Sequence, residues 1–251
     1  MKSVHEFALF YRQLSKAVAG SKAATVPCII NDADTVHRMV HVLRLSSGQQ
    51  CVLFDQVQHG VFTVLTANKK AVTGTINAIT DNDLLVPSIT YCLPLLKRDA
   101  LDQSLYALTE MGINTIQLVD TQKISRGWTQ KEFERCQRVI IAAAEQSKHF
   151  SYPNLLPPIS FDQMLTNYMS LSTTKIFCDR DGVPLLQCIE RVHAQKPAHI
   201  IIMAGPESDL TPCEKQELKD QGVTFCALTP TILRAYQAIT LSAGIFRSIA
   251  R

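Results

Sequence analysis

The spacing of apolar positions changes once along the chain. In the N-terminal region Val4, Phe7, Ala8, Tyr11, Leu14 and Val18 recur at helical intervals, which predicts an opening amphipathic helix. The stretch AGSKAAT at 19–25 predicts a loop, and NDADTVHRMVHVLRL predicts a short helix that begins with polar capping residues. Residues 50–54, 60–67 and 71–79 alternate apolar with polar and predict strands separated by polar turns. Asp81-Asn82-Asp83 and Pro87 mark a linker, so residues 1–86 are expected to form a small strand-rich domain and 87–251 a second one.

Beyond the linker, short apolar strands alternate with helical patterns. Strands are predicted at 89–93, 115–120, 175–178, 198–203 and 223–228. Helices are predicted at 97–111 (ending at Gly112), 130–146, 184–195 and 232–249, with HFSYPNLLPPISF as a proline-rich loop. One more helix opens at Thr211-Pro212-Cys213-Glu214, where Thr at N-cap, Pro at N1 and Glu at N3 form a capping box. This alternation predicts an α/β domain whose mostly parallel sheet is covered on both faces. Ala238, Ile239, Leu241, Ala243, Ile245, Phe246 and Ile249 leave the last helix with little polar surface, so it packs within its own domain or against a second subunit.

Composition narrows the class. The apolar runs at 139–144 and 200–204 fall far short of the roughly 20 residues that cross a bilayer. Glu6 and Arg12 interrupt the first apolar stretch, which does not read as a secretion signal. Eight cysteines without a CxxC pair fit a reduced, cytoplasmic protein, most of them as core residues. A net charge of +3 does not by itself predict a nucleic-acid partner, so a nucleic-acid surface would need local clustering.

Ligands of parallel sheets bind beyond the carboxyl ends of the strands. Two loops there carry candidate chemistry. The first, at 204–210, pairs Gly205, where backbone can approach a ligand, with the Glu207 carboxylate; it also reads as an ordinary turn before a capped helix. The second, CALTPTILRAYQA, places Pro230 and Arg234 before the last helix. Because the two loops follow successive strands, they are expected side by side.

Other residues admit both sharp and plain readings. His37 and His41 have metal-pair spacing, but no third ligand accompanies them and no metal is expected. Trp128 and Arg126 either clamp RNA by stacking or anchor a loop. Arg135 and Arg138 read as a solvated helix face. Glu145 and Gln146 either line a site or hydrogen-bond the next loop.

Five blocks in order resemble the SPOUT-class small-subunit ribosomal RNA uridine-N3 methyltransferases. They are VHRMVHVLRLSSGQQCVLFD, LPLLKRDALDQSLYALTEMGINTI, AAAEQSKHFSYPNLLPPISF, AGPESDLTPCEKQEL and ALTPTILRAYQA. The resemblance implies a PUA-like β-barrel RNA-binding domain followed by a SPOUT α/β domain with a deep trefoil knot. It also implies a homodimer formed through the C-terminal domain, and methylation of uridine N3 in 16S ribosomal RNA of the small subunit. S-adenosylmethionine would be held by Cys178, Ala204, Gly205, Pro206, Glu207, Leu228, Pro230, Ile232 and Leu233. Arg234 would stabilise the uracil anion, and Glu207 would orient the substrate or remove its proton. Arg38, Arg44, Lys97, Lys123, Arg126 and Lys148 would meet RNA.

The chain departs from that family's pattern at Ser208 and Asp209, which stand for paired glycines, and at Thr229 and Thr231. It departs again at Ala235-Tyr236-Gln237, and Lys123 stands where the family has arginine. Two alternatives follow from these changes: an RNA-binding scaffold with weakened or lost activity, and an RNA methyltransferase with a different target.

Overall fold

A computed structural model describes residues 7–19, 25–123 and 127–249. The chain divides into a unit of Met1–Asp83 with Ala144–Ser151 and a unit of Leu84–Ala143 with Tyr152–Arg251. The first unit thus takes a short piece from much later in the chain.

The first unit contains β1 (Phe7–Phe10), α1 (Leu14–Val18), β2 (Thr25–Ile30), α2 (Ala33–His37) with its π-helical continuation Arg38–Val42, β3 (Gln50–Phe54), β4 (Gln58–Ala67) and β5 (Val72–Asp81). The strand order is β1-β3-β4-β5-β2. β1 runs parallel to β3, and the other ladders are antiparallel. This mixed sheet has β1 and β2 at the ends of its order.

Two expectations fail here. Residues 7–10 form a strand rather than the start of a helix, because their backbone groups find partners in Cys51–Phe54; only Leu14–Val18 is helical. Val4 and the 20–24 part of the expected loop lie outside the described residues. The strand β2 was not expected. Its Val26, Cys28 and Ile30 point into the core while the residues between them face solvent. The start of α2 follows its capping signal, with Asp32 Oδ2 accepting the Thr35 N–H at 3.0 Å.

The second unit contains β6 (Ser88–Pro94), α3 (Arg98–Glu110), β7 (Thr115–Asp120), α4 (Gln130–Ser147, whose end from Ala144 belongs to the first unit), β8 (Asn154–Ser160) and α5 (Phe161–Met164) with its π-helical continuation Leu165–Met169. It continues through β9 (Thr174–Pro184), α6 (Leu185–Gln195), β10 (His199–Ala204), α7 (Pro212–Asp220), β11 (Thr224–Ala227) and α8 (Ala235–Ile249). Six parallel strands are ordered β11-β9-β10-β6-β7-β8.

The unbroken apolar run of β10 follows from burial on both faces. Ile200 and Ile202 pack with residues of α3, α4, α6 and α8, while Ile201 and Met203 pack with residues of α5 and α7. α8 lies against α3 and β10 through Ile239, Ala243 and Phe246, so the last helix is packed within its own unit. Its buried Arg247 donates to the carbonyls of Pro87 (2.7 Å) and Gly112 (2.6 Å) and to Asn114 Oδ1 (2.6 Å). Gly112 closes α3 at φ +75°, a conformation in which glycine meets no Cβ penalty.

The proline-rich segment is not all loop. Residues 154–160 form β8 at the end of the sheet, where the missing N–H groups of Pro157 and Pro158 cost few ladder bonds. Arg135 is not a solvated side chain either: it pairs with Asp102 and is mostly buried.

Candidate active site

The strand β10 stops at Ala204 because Gly205-Pro206 turns the backbone away from the sheet. The Asp209 N–H donates to the Pro206 carbonyl at 2.9 Å, which closes a turn over 206–209. Asp209 takes the left-handed conformation at φ +59°, where a family-type glycine would be unstrained. A Cβ on Gly205 would stand 3.0 Å from Asp209 Oδ1, so the turn is closed tightly on itself.

The following helix holds this turn from below. Thr211 Oγ1 accepts the Glu214 N–H (3.2 Å), and Glu214 Oε2 accepts the Thr211 N–H (2.7 Å), as the capping box predicts. Glu214 is fully buried and its Oε1 accepts the Gln122 N–H at 3.0 Å. The cap therefore also secures the segment after β7.

A cavity of about 800 Å³ opens beyond the carboxyl ends of β10 and β11 and beside the middle of β9. The loops 204–210 and 228–234 both line it, although their strands are not neighbours: β9 lies between β10 and β11 and contributes Cys178 and Asp179 to the wall. Of the residues expected to hold a cofactor, all but Pro230 line the cavity; Pro230 is exposed and outside its wall. Arg234 and Glu207 line it as well. The Arg234 side chain is exposed, while its N–H donates to Gln237 Oε1 at 3.3 Å. Glu207 Oε1 accepts the Lys97 N–H at 3.3 Å, which places an anion at the start of α3, where the helix dipole favours one.

Burial pushes the Cys178 thiol up to about 12, so it stays protonated at neutral pH and is not a nucleophile. The apolar side chains of Leu228, Ile232 and Leu233 offer a surface for a flat aromatic group, and the backbone at Gly205 is open to close approach. The wall carries charge of both signs: Asp179 pairs with Lys215 and Asp181 with Arg180, while the Glu207 carboxylate meets only a backbone N–H.

Two residues missed in the sequence reading organise the wall. Lys215 Nζ lies 2.7 Å from Asp179 Oδ2 and 2.7 Å from Asp209 Oδ2. Burial would raise the Asp179 carboxyl, but the hydrogen bond from Lys215, the Asp181 N–H and nearby lysine charges bring it below its ordinary value. Only the spacing inside a capped helix hinted at Lys215, since residue 215 follows the cap by one turn.

The expected RNA contacts separate in kind. Lys123 Nζ donates to the carbonyls of Ser208 (3.0 Å) and Leu210 (3.1 Å), so this ammonium holds the 208–210 backbone. Lys97 lines the cavity. In the first unit, Arg38 forms a two-pronged ion pair with Glu145, while Arg44 and Lys148 have exposed side chains on left-handed backbone. Glu145 thus pairs within the first unit. Arg126 lies outside the described residues. Trp128 is partly buried against the core of the second unit, as the loop-anchor reading has it. His37 and His41 have ring centroids 5.1 Å apart, and among the described residues no group of three metal-ligating side chains comes together.

Comparison with known proteins gives this geometry its context. Residues 84–247 match the family model for the RNA methyltransferase domain. The chain is 26% identical over 245 residues to the ribosomal RNA small subunit methyltransferase E of Synechocystis sp., covering 96% of this chain and 78% of that protein. The corresponding Bacillus subtilis protein is 24% identical over 214 residues, covering 82% of this chain and 84% of that protein.

Two solved structures share the fold. A Legionella pneumophila protein solved in complex with S-adenosylmethionine has a TM-score of 0.82 at 18% identity, covering 98% of each chain. The ribosomal RNA small subunit methyltransferase E of Neisseria gonorrhoeae, bound to S-adenosylmethionine, has a TM-score of 0.80 at 22% identity, covering 97% of this chain and 98% of that one. With the matched domain spanning well over half of its length, the chain belongs to the RNA methyltransferase family.

Proposed function

We propose that this protein transfers the methyl group of S-adenosylmethionine to N3 of a uridine in 16S ribosomal RNA of the small ribosomal subunit. The observation that carries the reading is the cavity at the strand ends, where the 204–210 and 228–234 loops meet with Arg234 in the wall. The names of the curated relatives and the ligand of the two structural neighbours support the same chemistry.

The residues present fit that cofactor. Backbone at Gly205 and Leu228 would hold its polar edges, Ile232 and Leu233 its base, and the Glu207 carboxylate would face its positive charge. When bound, it supplies an electrophilic methyl group on a sulfonium. The protein's own residues then serve the acceptor. Uridine N3 lies on the Watson–Crick edge and carries a proton, so the base must be unstacked before it reacts. Arg234 presents a permanent cation that stabilises charge on the uracil oxygens as that proton passes to Glu207 or to water. Glu207 fixes the start of α3 beside the cavity and orients the entering base.

Around this centre the reading extends to the whole chain. The first unit is a PUA-like RNA-binding module, and Arg44, Lys97, Arg126 and Lys148 contact phosphates. The second unit carries a trefoil knot at the cofactor loops and forms a homodimer. The activity is cytoplasmic, where its ribosomal substrate is found. Among the described residues no helix is long and apolar enough to cross a membrane.

Calorimetric titration with S-adenosylmethionine, followed by methyl transfer to unmodified small subunits, tests the proposal. Binding in the micromolar range and a new N3-methyluridine are the expected results. Cofactor binding with no transfer to 16S RNA would redirect the activity to another RNA. Absence of cofactor binding by folded protein, with and without RNA, would reduce the chain to an RNA-binding scaffold.

A further inference from the structure

The 206–210 turn differs from its family pattern at Ser208 and Asp209, and the structure shows what accompanies that difference. Asp209 stands at φ +59° with its carboxylate divided between two partners: Oδ1 accepts the Leu210 N–H at 2.8 Å, and Oδ2 accepts Lys215 Nζ at 2.7 Å. Lys215 belongs to the first turns of α7, whose start is fixed by the Thr211–Glu214 capping box. The side chain of its other partner, Asp179 in the middle of β9, is 7% exposed, whereas that of Asp209 is 58% exposed. The buried pair is the anchor, since an ion pair as exposed as Asp209–Lys215 contributes little alone.

We propose that Lys215 is a positioning residue. By bridging Asp179 and Asp209 it holds the 206–210 turn in the conformation that paired glycines would otherwise adopt freely, and so it sets cofactor affinity. The inference rests on the cofactor reading above only for its consequence, not for the clamp.

Three further observations support it. Asp209 lines the cavity, so its carboxylate would meet a ligand unless something drew it aside. Lys215 draws it toward β9. Lys123 grips the carbonyls on either side of Asp209, at Ser208 and Leu210, so two ammonium groups hold three consecutive residues. The Asp209 side chain also lies beside Gly205, since a Cβ added there would stand 3.0 Å from Asp209 Oδ1, so the clamped residue and the glycine share the tight end of the turn.

The test uses the full chain and the variants Lys215→Met, Lys215→Arg, Asp209→Asn and the double variant Asp209→Asn/Lys215→Met. Two readouts are taken. The first is amide hydrogen exchange of the 205–211 segment in the free protein. The second is calorimetric affinity for S-adenosylmethionine, which is cationic at sulfur, and for S-adenosylhomocysteine, which is not.

The expected result is exchange of the Asp209 and Leu210 amides about tenfold faster in Lys215→Met, and nearly restored protection in Lys215→Arg. Both ligands lose affinity by the same factor, about tenfold, because the turn has moved. The double variant loses no more than Lys215→Met alone, the non-additivity of groups acting as one.

Unchanged exchange in folded Lys215→Met would overturn the clamp. A change confined to the cationic ligand would also overturn it, and would assign Lys215 a purely electrostatic role. Wild-type protein that binds neither ligand, yet shows the exchange difference, would refute the functional reading and support the clamp.

Discussion

Arg38 and Glu145 form a forked ion pair across 107 positions of sequence, with Arg38 Nη1 donating to Glu145 Oε1 at 2.8 Å and Nη2 to Oε2. Glu145 Oε1 also accepts the Phe10 N–H at 2.9 Å, so one carboxylate secures β1 and the helical segment of Arg38 together. The hydrogen bond to Glu145, against the opposing effect of burial, holds the Arg38 guanidinium above its ordinary value. Glu145→Ala removes the acceptor of these three N–H donors and is expected to destabilise the first unit by about 2 kcal/mol, read from urea denaturation. Arg38→Ala is expected to destabilise it comparably while leaving the salt dependence of RNA binding unchanged. A flatter slope would mean that Arg38 also neutralises a phosphate, since each such contact contributes about 0.7 to 0.9 to the slope.

Asp55 accepts from Ser15 N–H (2.8 Å), Ser15 Oγ–H (2.6 Å), Val57 N–H (2.8 Å) and Gln58 N–H (2.9 Å). Burial would raise its carboxyl, but these donors together hold it below its ordinary value. A carboxyl lowered on folding stabilises the folded state above its unfolded pKa, and that contribution is lost as pH falls through the folded value. Stability should therefore drop below about pH 4. Asp55→Asn should lower stability at pH 7 and flatten the acid dependence. Denaturation midpoints between pH 3 and pH 7 that run parallel for the two proteins would refute this.

Gly182 in β9 faces the backbone of β11 without clearance. An added Cβ would lie 2.4 Å from the Phe225 carbonyl carbon and 2.5 Å from the Cys226 nitrogen. Backbone cannot yield as a side chain does, so Gly182→Ala is expected to cost about 3 kcal/mol and to part the two strands. Because Asp179 lies in the same strand, cofactor affinity should fall with it. A thermal midpoint within a degree of the wild type would show that the strands adjust.

Arg234→Ala removes a cation from the cavity wall without touching the turn that would hold the cofactor. Turnover is expected to fall about a hundredfold, with affinity for S-adenosylmethionine little changed. Arg234→Lys should recover part of the rate, because it restores charge without the planar fork. Equal losses of affinity and turnover would make Arg234 a cofactor ligand instead. Methyl transfer under single-turnover conditions separates the two.

Local signals were legible from sequence alone. The Thr211–Glu214 capping box, Asp32 at the start of α2, Gly112 after α3 and the unbroken apolar run of β10 each stand in the structure as their chemistry requires. Each depends on residues within a few positions of one another, so the sequence contains the whole interaction. The two cavity-lining loops were legible too, because an apolar strand that breaks at Gly205-Pro206 leaves backbone at the ligand end of a parallel sheet.

What tertiary structure decided is what depends on partners far along the chain. Phe7, Ala8, Tyr11 and Leu14 have helical spacing, but residues 7–10 become a strand because β3 offers a ladder. Pro157 and Pro158 suggest a loop, yet β8 persists because it closes the edge of the sheet. The segment 144–151 joins the first unit, where Glu145 meets Arg38. The site shows the same division. Gly205, Glu207 and Arg234 could be chosen from local pattern, whereas Asp179 and Lys215 become neighbours only when β9 and α7 pack on one sheet. Sequence determined which backbone would be open to a ligand; packing determined which charges hold it there, because an ion pair exists only where the fold brings its halves within a few ångströms.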